Sequence, residues 1–471
     1  MTTPLSSASS ASGAASGSPS VSAPVHVVAV IGGATAGAEV AGRLAQCGVQ
    51  VVVFEQNARP YGKIEDGLPR WHEELRHKEY RTIGEKLSRP GVHFVPLTKI
   101  GRDLAFEDVA RAWGFSAVIL ANGAWRDRPL AIEGADRFLG RGLVYQNPFI
   151  IAFNHAEDPA YDGPRFAYPD DAIVVGGGLA SIDVAKVLML ETTREKLRAR
   201  GIEIPLIELE VKGIPKSLEK HGLRFEDLGL AGCTLFYRRR VEDMPLMEAP
   251  EGADAARLAK VEQGRRRILE KAIEKYRFRV EPLSAPDGLV VEGERLVGLR
   301  FRRTKMEGGR LVPTDETFER RGAVVISSIG SIPDPIPGIP TKGELFAFSD
   351  WDWGRLPGFP NLFSVGNVVT GKGNIVASRK HATLVTREAI ERFLGVGDTD
   401  GHAGEEGMTA GVAAAAREAA EGIHAEVTSH PPLAAEQANA ILARVAERQR
   451  AVGYGGDFAA WLEKVGPGEA A

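Results

Sequence analysis

From Val25 the apolar positions run without alternation through VHVVAVI, break at a glycine turn, and resume at helical spacing through TAGAEVAGRLAQCG. They close on a second continuous run, VQVVVFEQ. A strand that is apolar at successive positions is buried on both faces, as in a parallel sheet covered by helices. The segment therefore predicts a β-α-β unit. A second unit opens at Ala172 with AIVVGGGLASIDVAKVLML, and its next clear strand is CTLFYRRR from Cys233. The interval between them holds a charged helical stretch, TTREKLRAR, and GIPKSLEKHGL, which predicts a loop. Residues 265–279, RRRILEKAIEKYRFR, predict a basic amphipathic helix with Ile268, Leu269, Ala272 and Ile273 on one face. The strands VGLRFRRT and AVVISSIG follow, then turn-rich IPDPIPGIP and LPGFPN, then a strand, a glycine turn and a long helix in NLFSVGNVVTGKGNIVASRKHATLVTREAIERFL. Residues 397–431 predict a linker around an Ala-rich helix, and Pro432 to Leu462 a helical appendix.

Composition narrows the class. With 44% apolar and 25% charged residues the chain reads as a soluble globular protein. A formal charge of -4 creates no global field toward nucleic acid or an acidic membrane surface, so neither is expected as a partner. Cys47 and Cys233 are the only cysteines, with no CxxC and no cluster for zinc or an iron-sulfur centre, so no metal is expected. Residues 1–24 are rich in Ser, Ala and Gly, without arginine or a long apolar run, and predict a disordered tail. A cytoplasmic location is expected.

The turns carry the chemistry. Gly32, Gly33, Ala34, Thr35, Ala36 and Gly37 lie between strand and helix, and Glu55 ends the second strand, 23 residues after Gly32. Such a turn brings backbone amides and a helix N-terminus to a pyrophosphate, while the acid accepts from ribose hydroxyls. Ala34 departs from the pattern at its second glycine, where its methyl faces the pyrophosphate. The second turn, Gly176, Gly177, Gly178, Leu179, Ala180 and Ser181, has a strand partner ending not in an acid but in Tyr237, Arg238, Arg239 and Arg240. Guanidinium forks match a 2'-phosphate, so NADPH is favoured over NADH. A third turn, with Gly366, Asn367, Gly371, Gly373, Asn374 and Ile375, precedes a helix whose N-terminal dipole would stabilise a reduced flavin. Two dinucleotide sites in one chain imply a bound FAD and a diffusing NADPH. Hydride transfer between them needs positioning, not a protein nucleophile.

In the order of these motifs, residues 26–395 resemble the adrenodoxin-reductase-type NADPH:ferredoxin reductases, related to the glutamate synthase small subunit. The likeness rests on the first turn with Glu55, PYGKIEDGLPRWHEELR, IGRDLAFEDVARAWGFSAVILANGA, GGGLASIDVAK, LFYRRR, SSIG, and LFSVGN followed by GNI. It implies an α/β fold of two Rossmann-like domains, the NADP domain inserted into the FAD domain. The expected divisions are an FAD domain of 25–127 and 329–396, an NADPH domain of 128–328, and a linker with appendix over 397–471. Gly62 and Lys63 would lie against the flavin, with Ala121 and Gly123 in the same set; Gly366 and Asn367 would meet the ring system, and Gly373 to Ile375 its pyrimidine end. Asn367 replaces a tryptophan usual in the adrenodoxin-type enzymes. The iron-sulfur region that precedes the FAD unit of the glutamate synthase subunit has no counterpart here.

His72 falls where the family places a histidine close to the flavin, and is a candidate proton relay. Arg265, Arg266 and Arg267 occupy a stretch like that used to receive an acidic ferredoxin-like partner, although a charge run also describes a solvated helix face. The sequence thus favours NADPH-dependent reduction of FAD followed by electron release to a ferredoxin. Two alternatives stay open: reduction or oxygenation of a small molecule at the flavin, and a flavin-holding assembly protein with little turnover.

Overall fold

The computed structural model describes residues 20–159, 161–250, 252–397 and 430–466. Its longer strands are β1 (Val27–Ile31), β2 (Gln50–Phe54), β3 (Val92–Val95), β4 (Ala117–Leu120), β5 (Leu143–Tyr145), β6 (Ile173–Gly176), β7 (Thr234–Phe236), β8 (Arg279–Glu281), β9 (Ser284–Glu292), β10 (Arg295–Glu307), β11 (Arg310–Arg321), β12 (Val325–Ser328) and β13 (Leu362–Ser364). The helices that matter here are α1 (Thr35–Gln46), α2 (Glu73–Leu87), α3 (Gln146–Asn154), α4 (Leu179–Arg198), α5 (Ala255–Tyr276), α6 (Ile375–Val385), α7 (Ala435–Ala451) and α8 (Phe458–Val465).

Two five-stranded sheets result, in the orders β13-β4-β1-β2-β3 and β5-β12-β6-β7-β8. Every pairing in both is parallel. In each, the strand that runs into a glycine turn stands at the centre, which places that turn at the point where the strand order reverses. The burial explains the unbroken apolar runs. Val28 and Val30 of β1 enter a core shared with α1 and α2, whereas Val27, Ala29 and Ile31 enter the core on the opposite face. The second sheet repeats this: Val174, Leu235 and Ile326 pack beneath α4, and Ile173, Val175, Phe236 and Val325 pack against the ribbon β9-β10-β11. There Phe236 stacks on Phe301 at a centroid distance of 4.1 Å.

The chain crosses between sheets twice, at Arg126–Asp127 and Ser331–Ile332, and these two segments pair antiparallel with each other. Three local expectations are corrected. The basic helix begins ten residues earlier than 265, because Asp254 accepts from the Arg257 amide at 2.7 Å and caps α5 at Ala255. GIPKSLEKHGL contains a helical turn, Ile214–Glu219, that buries Ile214, Ser217 and Leu218. Val21, expected in the tail, is bound through its amide and carbonyl to the side chain of Asn439 at 2.8 and 2.9 Å. The appendix is two helices, and they wrap edge strand β3: α7 contributes Ala438, Ile441, Leu442 and Val445 to one core, and Phe458 and Trp461 of α8 enter the other. The linker with its Ala-rich helix falls mainly at 398–429, outside the described residues.

Candidate functional site

Register places the first acid. Ile31 pairs with Phe54, so the next residues, Gly32 and Glu55, stand side by side where the sheet ends. Gly32 has φ +103°, and a Cβ there would lie 2.6 Å from the Ala121 carbonyl oxygen. A Cβ on Gly37 would overlap the carbonyl of Gly32, so the glycine lets α1 sit directly on the turn. Glu55 is buried, and its carboxylate accepts from the amides of Gly33 at 2.8 Å and Asn57 at 2.9 Å. Burial nonetheless raises its carboxyl from 4.5 to about 7.

The remaining flavin candidates converge on this turn. A Cβ on Gly62, at φ +53°, would meet the Ala34 methyl at 3.0 Å, and one on Gly366, at φ +75°, would meet the Ala36 methyl at 2.6 Å. Gly123 and Gly373, both at positive φ, have open space on their Cβ side. Asn367 accepts from the Gly373 amide at 2.8 Å, and Asn374 caps α6 by accepting from Ala377 at 2.6 Å, leaving Ile375 as its first residue. Neither α1, α4 nor α6 carries an acid in its first turn, and no side chain caps α1 or α4. A positive dipole end with uncapped amides and no acid in its first turn suits phosphate at α1 and α4, although the Gly33 amide just before α1 is taken by Glu55. These features fit the FAD and NADPH groups expected from the motifs.

The second turn repeats the geometry with a different outcome. Val175 pairs with Phe236, so Tyr237 occupies the position that Glu55 holds in the first unit. A Cβ on Gly177 would overlap the Tyr237 ring, and the phenol donates to the Asp243 carbonyl at 2.9 Å. No carboxylate is offered to a ribose diol there. Gly176 is packed against Ser328 and Ser181; the Ser181 hydroxyl donates to the Gly178 carbonyl at 2.6 Å, while Leu179 and Ala180 are exposed at the start of α4. Arg240 is held by Asp243 at 2.8 Å. Arg238 and Arg239 have no carboxylate within salt-bridge distance among the described residues.

Lys63 is directed to the joint between the sheets. Its ammonium donates to Asn147 at 3.0 Å and to Ser331 at 2.9 Å, and burial pulls it down to about 8. Asn147 also donates from its side chain to the Trp125 carbonyl at 2.8 Å and from its backbone to Asp127 at 3.1 Å. Burial raises Asp127 to about 6. A second tie crosses from Glu248 to Asn374 at 3.3 Å. His72 lies beside Trp71 at the head of α2, lowered by burial and then by the charge of Lys186 on α4. Arg265 donates to the carbonyls of Met247 and Glu242 at 2.9 Å each, and Arg266 is paired with Glu242. Those two arginines anchor the loop after β7, and Arg267 points to solvent.

Sequence reasoning missed three positions. Tyr237 was visible only as the end of a strand. Asn147 had no motif around it. His381, lowered to about 4 by burial and hence a neutral acceptor, receives the Gly366 amide at 3.0 Å and fixes the third turn from one helical face of α6.

Residues 26–220 match the family model for pyridine nucleotide-disulphide oxidoreductase. The NADPH-Fe(3+) oxidoreductase subunit beta of Geobacter sulfurreducens is 31% identical over 208 residues, which are 42% of this chain and 28% of that protein. The matched region thus spans under a third of that relative's length. The mitochondrial NADPH:adrenodoxin oxidoreductase of Arabidopsis thaliana is 22% identical over 418 residues, 79% of this chain and 83% of that one. Among solved structures, Mycobacterium tuberculosis FprA in complex with NADPH is 20% identical with a TM-score of 0.61, covering 90% of this chain and 91% of its own, a likeness that shows the shared fold.

Proposed function

We propose, from the match of residues 26–220 to the family model for pyridine nucleotide-disulphide oxidoreductase and from the two turns, that the chain is an FAD-dependent NADPH oxidoreductase that passes electrons to a ferredoxin-like acceptor. In this reading residues 25–127 and 329–396 hold FAD, and residues 128–328 hold NADPH. The observation that carries it is the contrast between two turns of the same register: Glu55 beside the first, and beside the second Tyr237 followed by Arg238 and Arg239, which have no carboxylate partner among the described residues. The disulphide chemistry in the family's description has no paired cysteines to use, since Cys47 and Cys233 belong to different sheets' surroundings.

Bound FAD supplies hydride acceptance and one-electron release. Around it the Gly32–Gly37 turn and the start of α1 bind the pyrophosphate, Glu55 accepts from the ribose, and Gly62, Lys63, Ala121, Gly123, Gly366 and Asn367 line the ring. Gly373, Asn374 and Ile375 present the dipole of α6 to its pyrimidine end. Gly176, Gly178, Leu179, Ala180 and Ser181 receive the pyrophosphate of NADPH, and Arg238 and Arg239 its 2'-phosphate. His72, held neutral by burial, serves as proton relay, and the exposed Arg267 faces the acidic partner, while Arg265 and Arg266, bound to the Met247 and Glu242 carbonyls and the Glu242 carboxylate, hold the loop after β7. The cytoplasm is the compartment we assign; no helix among the described residues is long and apolar enough to cross a membrane.

Anaerobic titration with NADPH tests the whole reading. Flavin absorbance at about 450 nm, a property of the oxidised ring, should bleach with one equivalent and recover on adding an oxidised ferredoxin. An unbleached flavin would exclude the enzyme; bleaching reversed by oxygen or an organic substrate, but not by any ferredoxin, would replace the acceptor.

A further inference from the structure

The helical appendix contributes to none of the glycine turns, yet it holds the backbone on both sides of Glu55. Trp461, 5% exposed, donates from Nε1 to the Ala58 carbonyl at 2.8 Å. That carbonyl is one residue beyond the Asn57 amide that binds the Glu55 carboxylate. On the other side, Arg448 donates from Nε to the Thr98 hydroxyl at 2.9 Å and from Nη2 to the Leu97 carbonyl at 3.4 Å. The two loops are also tied to each other: the Thr98 amide donates to the Glu55 carbonyl at 2.8 Å, and the Leu97 amide to the Asn57 carbonyl at 3.2 Å. Leu97 has φ +51°, a conformation that costs a leucine free energy and persists where surrounding structure enforces it. Gln449 supplies a further anchor, donating to the Phe94 carbonyl of β3 at 2.8 Å, with Tyr454 and Phe458 packed edge-on against the Phe94 ring.

A dinucleotide on this sheet lies outside the carboxyl ends of the strands, with its ribose at the acid that ends β2. The adenine on that ribose then sits among the loops that follow β2 and β3, which are the loops gripped by α7 and α8. We propose that α7 and α8 are the outer wall of the adenosine end of the flavin site, with Trp461 and Arg448 as positioning residues that set FAD affinity. The inference rests on the flavin reading of the first unit. It assigns the appendix to cofactor retention, apart from hydride transfer.

Trp461→Phe and Arg448→Met, made in the full chain, test it. FAD dissociation is read from the regain of flavin fluorescence on dilution, and adenosine-end binding from competition by ADP during FAD rebinding. Each lost hydrogen bond should weaken both FAD and ADP about five-fold. Arg444→Met, on the same helix but directed at the Ala112 carbonyl, should change neither. Phe at 461 keeps an aromatic ring in the core, and melting of the apoprotein reports any general loss of packing. FAD held as tightly by the variants as by the parent would overturn the inference, as would a lower melting temperature with both affinities unchanged, or weaker FAD with unchanged ADP. A parent chain that holds no FAD would overturn the flavin reading itself, and this inference with it.

Discussion

At the scale of single residues, Glu55 and Tyr237 occupy the same register position in the two units, and in the proposed reading that position selects the nucleotide. Each follows the last paired residue of a second strand, and each lies against a glycine turn. In that reading the buried carboxylate would offer acceptors to a diol, whereas the aromatic ring would offer none and leave Arg238 and Arg239 to meet a phosphate. One charged hydrogen bond is worth roughly 1.5–3 kcal/mol. Arg238→Ala and Arg239→Ala should therefore each weaken NADPH binding about ten- to hundredfold while leaving NADH unchanged, as isothermal titration of both nucleotides would show. Glu55 gives a pH signature. Its folded carboxyl lies near 7, above its usual 4.5, so the neutral form is the one burial favours. The apoprotein should accordingly lose stability as pH rises from 4.5 to 7, and no further loss from this group should follow above that. Ribose donors favour the ionised form, so FAD affinity should rise with pH over the same window and level off beyond it. Glu55→Gln should flatten the FAD profile; a slope retained in that variant would assign it elsewhere.

At the scale of elements, the β-α-β units were legible because they depend on local pattern: continuous apolar strands, a glycine turn, and helical spacing behind it. What the pattern hid was decided by single caps and long-range contacts. Asp254 moves the start of α5 by ten residues, and Gly213, at φ +86°, begins a helical turn inside a stretch that reads as loop. The strand β11, with alternating exposure and many charges, carries a weak apolar signal and pairs only because β10 lies beside it. The appendix shows the limit most clearly, since Trp461 and Ala58 are 403 residues apart in sequence. The glycine positions, by contrast, can be graded by element packing. Gly37 seats α1 on the Gly32 carbonyl, whereas Gly123 faces open space. Gly37→Ala should destabilise by about 3 kcal/mol, the upper end for overpacking, and release FAD. Denaturant unfolding followed by tryptophan fluorescence, with flavin fluorescence reporting FAD release, would check it, and a stable, flavin-loaded variant would show that α1 can shift.

At the scale of the whole molecule, the two units are joined by more than their crossing strands. The Pro69–His72 segment leaves the first unit and enters the second. Trp71 is 7% exposed within the core beneath α4, its ring 5.2 Å from Phe153 and 4.5 Å from the Lys186 ammonium. Arg70 stands over Phe153 at 4.8 Å and reaches Glu157 at 2.9 Å. Lys63 closes the joint from the other side through Asn147 and Ser331. The apolar character of Trp71 was plain from sequence, but not which core would receive it, because the insertion folds a foreign sheet against its own unit. This clasp joins the two units, and in the proposed reading hydride transfer would depend on the distance between their turns more steeply than nucleotide binding would. Trp71→Ala should cost about 3–5 kcal/mol through the cavity it leaves, seen as a lower melting temperature. If the clasp also sets the approach, stopped-flow reduction of the flavin by NADPH should slow at saturating NADPH, while reduction by dithionite, which needs no second unit, stays as in the parent. Equal slowing with both reductants would instead place the damage in the flavin site, and unchanged NADPH reduction would show that the units keep their orientation without Trp71.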